Sequence, residues 1–196
     1  MSPVVPRHTR PVVAVSIAHV GVGGARSADG RVVEEAFSSV CAAAIVRDLA
    51  ADCDPRLIRS SLEEKARKVN AVDPSCVVEV HLNASLSADH GRGHLTLFAP
   101  GSQHGQLLAA HISRALSSAL PGRRDLGPQR GEPPWTARSR LTLLADTRCP
   151  AVIVEALHVS NPDEVAWLAL PEAPGVIARA VAAGVRSWLR LEGRLP

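Results

Sequence analysis

Two runs of β-branched and small apolar residues limit what this 196-residue chain can fold into. Val12-Val-Ala-Val-Ser-Ile-Ala18 and Ala151-Val-Ile-Val-Glu-Ala-Leu157 lack the polar alternation of a strand with one wet face. Strands of that kind are covered on both sides, which requires a mostly parallel sheet with helices packed above and below it. The stretches between them fit that demand. From about Val32 to Asp52 the residues Val33, Phe37, Cys41, Ile45 and Leu49 recur at helical spacing, and Asp54-Pro55 reads as the N-cap and first-turn proline of a second helix striped by Ile58, Leu62, Ala66 and Val69. Gly101 to Leu120 and Val176 to Leu191 give two more helices, and Asn161-Pro-Asp-Glu164 reads as a capped helix start. Strand and helix alternate, so the expected class is a single α/β domain: a central mostly parallel or mixed sheet flanked by helices on both faces.

Size agrees with one domain spanning residues 12–196, preceded by a proline-rich lead-in over residues 1–11. The core must be aliphatic, because aromatics make up 3% of the chain and Tyr is absent. A net charge of only +3, carried almost wholly by Arg since Lys65 and Lys68 are the only lysines, argues against nucleic acid as a partner. No run reaches the roughly 20 apolar residues of a membrane span. The first ten residues carry no secretory pattern, which leaves a chain made in the cytoplasm without a visible signal peptide. Cys41, Cys53, Cys76 and Cys149 show neither C-x-x-C nor zinc-finger spacing and read as reduced thiols.

The chemistry concentrates at strand ends. Val77 to Ser85 alternates apolar residues with Glu79, His81 and Asn83, presenting His81 near the end of a strand. The first strand runs out at His19, ahead of a loop that holds Gly21, Gly23, Gly24 and Gly30. That loop lacks G-x-G-x-x-G spacing, so a dinucleotide site is not expected. Glu155 interrupts the late apolar strand, and a carboxylate there is costly unless paired or bound to a cation. Two imidazoles and a carboxylate form a common catalytic zinc set, with a further glutamate free for proton transfer. His8, His90, His94, His104 and His111 are expected at the surface, His94 opening a third strand that runs to Phe98. Pro121 to Arg140, with four prolines and several arginines, is expected to be a long loop, and Leu141 to Leu144 a short strand or helical turn.

In order and spacing these blocks resemble the zinc-dependent N-acetylmuramoyl-L-alanine amidases of the third amidase family, which cleave peptidoglycan. The blocks are Ile17-Ala-His19 through Gly24, Val33-Glu-Glu35, Glu79-Val-His-Leu-Asn-Ala84, and Pro150-Ala-Val-Ile-Val-Glu155 leading to Ser160-Asn161. The resemblance implies His19, Glu34 and His81 as ligands of Zn2+ and Glu155 as the catalytic acid/base. Glu34 is preferred to Glu35 because it lies fifteen residues after His19 and shares a helical face with Cys41 and Ile45. It further implies Arg130, of Arg130-Gly131, and Asn83 as substrate-binding residues. This chain departs from the family where Ser16-Ile-Ala18 replaces Asp-Pro-Gly and Leu157-His158 replaces Gly-Phe. The expected activity is hydrolysis of the amide between N-acetylmuramic acid and L-alanine, by a monomer acting on the cell wall after export or phage-type release. Two alternatives stay open: a same-fold zinc amidohydrolase acting on a small N-acyl amino acid or peptide, and a catalytically silent wall-binding or regulatory module.

Overall fold

The structure is a computed structural model that describes residues 10–85, 91–134 and 140–196. Most of the expected lead-in, together with His8 and His90, lies outside the described residues. Strands β1 (Val12–Ile17), β2 (Asp54–Ile58), β3 (Cys76–Asn83), β4 (His94–Phe98), β5 (Asp125–Arg130) and β6 (Ala151–His158) form one sheet in the order β2-β1-β3-β6-β4-β5. The four strands β2, β1, β3 and β6 run parallel, whereas β4 is antiparallel to β6 and carries β5 parallel to itself. Helices cover both faces, as the apolar runs require.

The two faces are unequal. Val13, Val15, Val78, Val152 and Val154 turn toward a large core shared with α1 (Glu34–Leu49), α3 (Gln103–Ala119), α5 (Pro162–Leu168) and α6 (Ala173–Leu191), where Trp188, Ile112 and Leu157 are fully buried. Alternate residues Ala14, Val77 and Ile153 face a smaller core against α2 (Leu62–Ala71) and the short α4 (Thr142–Asp146). The thin layer leaves the C-terminal ends of β1, β3 and β6 partly uncovered, and ligands of open α/β sheets collect beyond those ends. No single helix among the described residues is long and apolar enough to cross a membrane.

Three expectations about elements need correction. Asp54–Ile58 is not the start of a helix but the edge strand β2, paired in register with β1 from Val12↔Asp54 to Ser16↔Ile58. Pairing there satisfies the backbone groups of β1 that would otherwise face nothing, and an edge strand tolerates Pro55. The helix begins at Leu62 instead, after Ser61. Within the stretch read as a long loop, Asp125–Arg130 forms the other edge strand, again tolerating a proline, Pro128. His94 is not at the surface: it is completely buried at the start of β4. Leu141 to Leu144 resolves in favour of helix, as α4. All four cysteines are free, as expected.

Asn161 caps α5 as its position implied, its side chain accepting from the backbone N–H groups of Asp163 and Glu164. Glu164 does not close the reciprocal half of a capping box. Its carboxylate accepts instead from the N–H groups of His158 (2.7 Å) and Gly93 (2.7 Å), tying β6 to the approach to β4.

Candidate metal centre

The loop after β1 and the first turn of α1 are built around two adjacent glutamates. Glu34 is buried, and its Oε2 accepts from the N–H of Ala25 at 2.7 Å. Glu35 is not simply solvated, as its outward position suggested: it accepts from Gly21 and Gly23 at 2.9 and 3.0 Å and clamps the loop. Both carboxylates sit at the positive end of the α1 dipole. The loop must pass very close to them, and Gly24 makes this possible. A Cβ there would lie 2.5 Å from Glu34 Oε2 and 2.8 Å from the His19 ring, at a φ of +68. His19 itself has φ 54, a left-handed conformation that turns its ring back over the sheet end.

Glu34 Oε1 is the meeting point. It lies 3.2 Å from His19 Nε2 and 2.9 Å from His81 Nδ1, and it accepts from the N–H of Leu82 at 3.2 Å. The two imidazoles meet edge to face with centroids 4.9 Å apart. One donor atom from each of His19, Glu34 and His81 fits within 4.8 Å of the other two. In a tetrahedral site with bonds of about 2.05 Å, ligand atoms stand about 3.3 Å apart, so this N, N, O set suits such an ion. Burial alone would raise the carboxyl of Glu34, but hydrogen bonds from His19 and His81 outweigh it and hold the group well below the usual range. Burial opposes charge on His81 as well, yet the carboxylates of Glu34 and Glu79 lift it to about 10.

Glu155 is brought to the same place by strand register, since β6 pairs it directly with His81 of β3. Burial pushes its carboxyl up to about 7, against the attraction of His81. It lines a cavity of about 490 Å³ with His19, His81, Leu97, Arg140 and Ile153. The cavity opens on the thin layer between α2 and α4, with an apolar wall and this titratable cluster at one end.

Beneath His81 lies a second polar cluster that sequence reasoning did not single out. Its Nε2 is 2.7 Å from Glu79 Oε1, while Glu79 Oε2 takes hydrogen bonds of 2.5 Å each from Ser16 Oγ and Lys65 Nζ. Lys65 also donates to the carbonyl of Ile17 at 3.2 Å, and Ser16, Lys65 and Glu79 are all buried. The signal was available. On a strand covered on both faces, Glu79 shares a side with His81 and needs a cation. Lys65 is one of only two lysines, on the helix that packs over that side.

The two proposed substrate contacts are placed elsewhere. Asn83 Oδ1 accepts from its own neighbour's N–H, that of Ala84, and the Asn83 carbonyl accepts from Val159, so the residue shapes the turn after β3. Arg130 lies at the end of β5 beside Phe98, which is level with Val152 rather than Glu155, and its guanidinium is exposed near Glu132. The structure does not bring Arg130 to the cavity; Arg140 is the arginine that lines it. His158 is buried at the end of β6 against Gly91 and is not part of the His19, Glu34 and His81 group.

An α/β sheet with two histidines and a glutamate converging at its strand ends, and a further glutamate beside them, offers a candidate metal site of the kind hydrolases use. A family model for N-acetylmuramoyl-L-alanine amidase matches residues 24–187, and the chain belongs to that family, whose reaction is hydrolysis of the amide joining N-acetylmuramic acid to L-alanine in peptidoglycan. The fold agrees. An N-acetylmuramoyl-L-alanine amidase from Clostridium difficile superposes with a TM-score of 0.81 at 20% identity, covering 93% of this chain and 98% of that one. One from Nostoc punctiforme gives 0.81 at 18% identity over 92% and 97%. The catalytic domain of an endolysin targeting Clostridium difficile gives 0.73 at 21% over 90% and 97%. No curated protein matches the chain by sequence.

Proposed function

We propose that the ion held by His19, Glu34 and His81 is Zn2+ and that Glu155 is the proton-transfer group of a muramoyl-amide hydrolysis carried out at the cell wall. The observation that carries this reading is the convergence of the three donor side chains beside Glu155, in direct register with His81. When bound, zinc would supply a Lewis acid for the scissile carbonyl and would lower the pKa of water from 15.7 to about 7. Glu155, with a carboxyl near 7, takes a proton from the attacking water and returns it to the leaving nitrogen of L-alanine. Glu34 stays ionised, as a ligand to a cation must. The apolar wall of Leu97, Leu141, Leu143 and Ile153 excludes water from one side of the reacting bond, and Arg140 offers the stem peptide's carboxylates a guanidinium fork.

Metal analysis of the purified protein, with a digestion assay on purified sacculi, tests the proposal. About one zinc per chain, with stem peptide released from the glycan and release blocked by chelator, is the expected result. Release unaffected by complete removal of metal would overturn it.

A further inference from the structure

Imidazole has two nitrogens, and a metal takes only one of them; the partner of the other decides which. For His81 both partners are fixed by the fold. Nδ1 faces Glu34 Oε1 and through it His19, whereas Nε2 points the opposite way, 2.7 Å from Glu79 Oε1. Glu79 cannot give way easily. Strand register places it directly beside Ser16 of β1, and its other oxygen is held at 2.5 Å by both Ser16 Oγ and Lys65 Nζ. Lys65 is anchored in turn on the Ile17 carbonyl, two residues before His19. The chain from His81 through Glu79 and Lys65 therefore reaches the strand end that delivers the other histidine.

We infer that Glu79, braced by Lys65 and Ser16, is a positioning residue that accepts the Nε2–H of His81 and thereby commits this histidine to bind the ion through Nδ1. This rests on the metal reading above and deepens it. The alternative, that Glu79 itself ligates, does not suit its place on the far side of the imidazole from Glu34, nor its absence from the convergent trio. An isolated buried carboxylate at this position would be costly, and the Lys65 ammonium offsets that cost. Ser16 also gains a purpose here. It stands where the family has the aspartate of Asp-Pro-Gly, and its hydroxyl supplies the donor that Glu79 needs.

Zinc affinity is the first readout, measured on the whole protein by competition with a chromogenic chelator. Glu79→Gln is expected to weaken zinc by about 10- to 100-fold, the range for partners of metal-bound histidines. Because a lone glutamine leaves Lys65 buried without its carboxylate, the double variant Glu79→Gln/Lys65→Met removes both charges and keeps the fold testable. Provided its melting temperature matches the wild type, the same loss of affinity is expected. A folded double variant that binds zinc as tightly as wild type would overturn the proposal. The second readout is the 15N spectrum of the zinc-loaded wild type, where His81 is expected to show an Nε2–H and a metal-bound Nδ1; the reverse pattern also overturns it. Failure of the underlying metal reading looks different: the wild type then takes up no zinc at all, and this inference goes with it.

Discussion

β6 is flanked by two strands, and each carries a histidine near the level of Glu155: the part-buried His81 on β3, directly opposite it, and the fully buried His94 on β4, next to the Leu95 that also pairs with it. Sequence distance and strand position make them near equivalents. Their surroundings make them opposites. Both nitrogens of His81 meet carboxylates within 2.9 Å, and the ring is held in its charged form in the absence of metal. Among the described residues neither nitrogen of His94 has a hydrogen-bond partner; Asp125, at 3.6 Å, is too far to supply one. Both rings are largely withdrawn from solvent, so the neighbouring carboxylates are what set them apart.

The sharpest way to break this contrast is to remove the ring that matters. His81→Ala is expected to lose both zinc and amidase activity, leaving release of stem peptide at the level of a blank, because two donors cannot hold a catalytic ion. A mutant that still holds one zinc per chain would dismiss the ligand assignment. Glu155→Gln keeps the shape of the site but not its proton transfer. It should lower kcat by about 100- to 10,000-fold with zinc content unchanged. If kcat fell by less than about tenfold, some other group would be the acid/base.

A smaller effect probes how closely the loop must approach. Gly24→Ala forces a Cβ into contact with Glu34 Oε2 and the His19 ring, and places an alanine at φ +68. The backbone conformation alone costs about 1–2 kcal/mol, and the clash should also weaken zinc, since Glu34 or His19 must shift. A protein with unchanged melting temperature and zinc affinity would show that this loop is more pliable than its hydrogen bonds to Glu35 imply.

The contrast also shows what a sequence can disclose. The grouping of His19, Glu34 and His81 was anticipated from the order of the blocks shared with the amidase family, and Glu155 stood out as a carboxylate inside an apolar strand. Glu34 was separable from Glu35 by its spacing from His19 and its helical face, although the hold that Glu35 has on Gly21 and Gly23 was not foreseen. Features that depend on pairing between distant segments were not legible. Asp54-Pro55 carries the same signature at a helix start and on an edge strand, and only β1 beside it selects the strand. Arg130 was singled out by its Arg-Gly step; the reversal of chain direction at β4 places it away from the cavity. Glu79 and Lys65 lie fourteen residues apart on different elements, and their meeting follows from the packing of α2 over the sheet.

His94 yields the smallest effect and the one with a definite sign in pH. Burial lowers its pKa below the ordinary 6.5, with Asp125 opposing only in part. Above 6.5 the ring is neutral in both folded and unfolded chains, and proton binding does not affect stability. As pH falls through 6.5 the unfolded chain takes up a proton that the folded one resists, so stability is lost progressively until the folded pKa is passed. His158, also lowered by burial, adds to the same slope. His94→Leu removes an unsatisfied buried ring and should raise stability near neutral pH by about 1 kcal/mol. The gain should widen on acidification, because the proton-linked loss at His94 is gone. Thermal melts of both proteins from about pH 7.5 to about pH 5, the range in which histidine titrates, measure this. Parallel curves would mean that His94 finds a partner in solution, and that the difference from His81 is one of geometry rather than of charge.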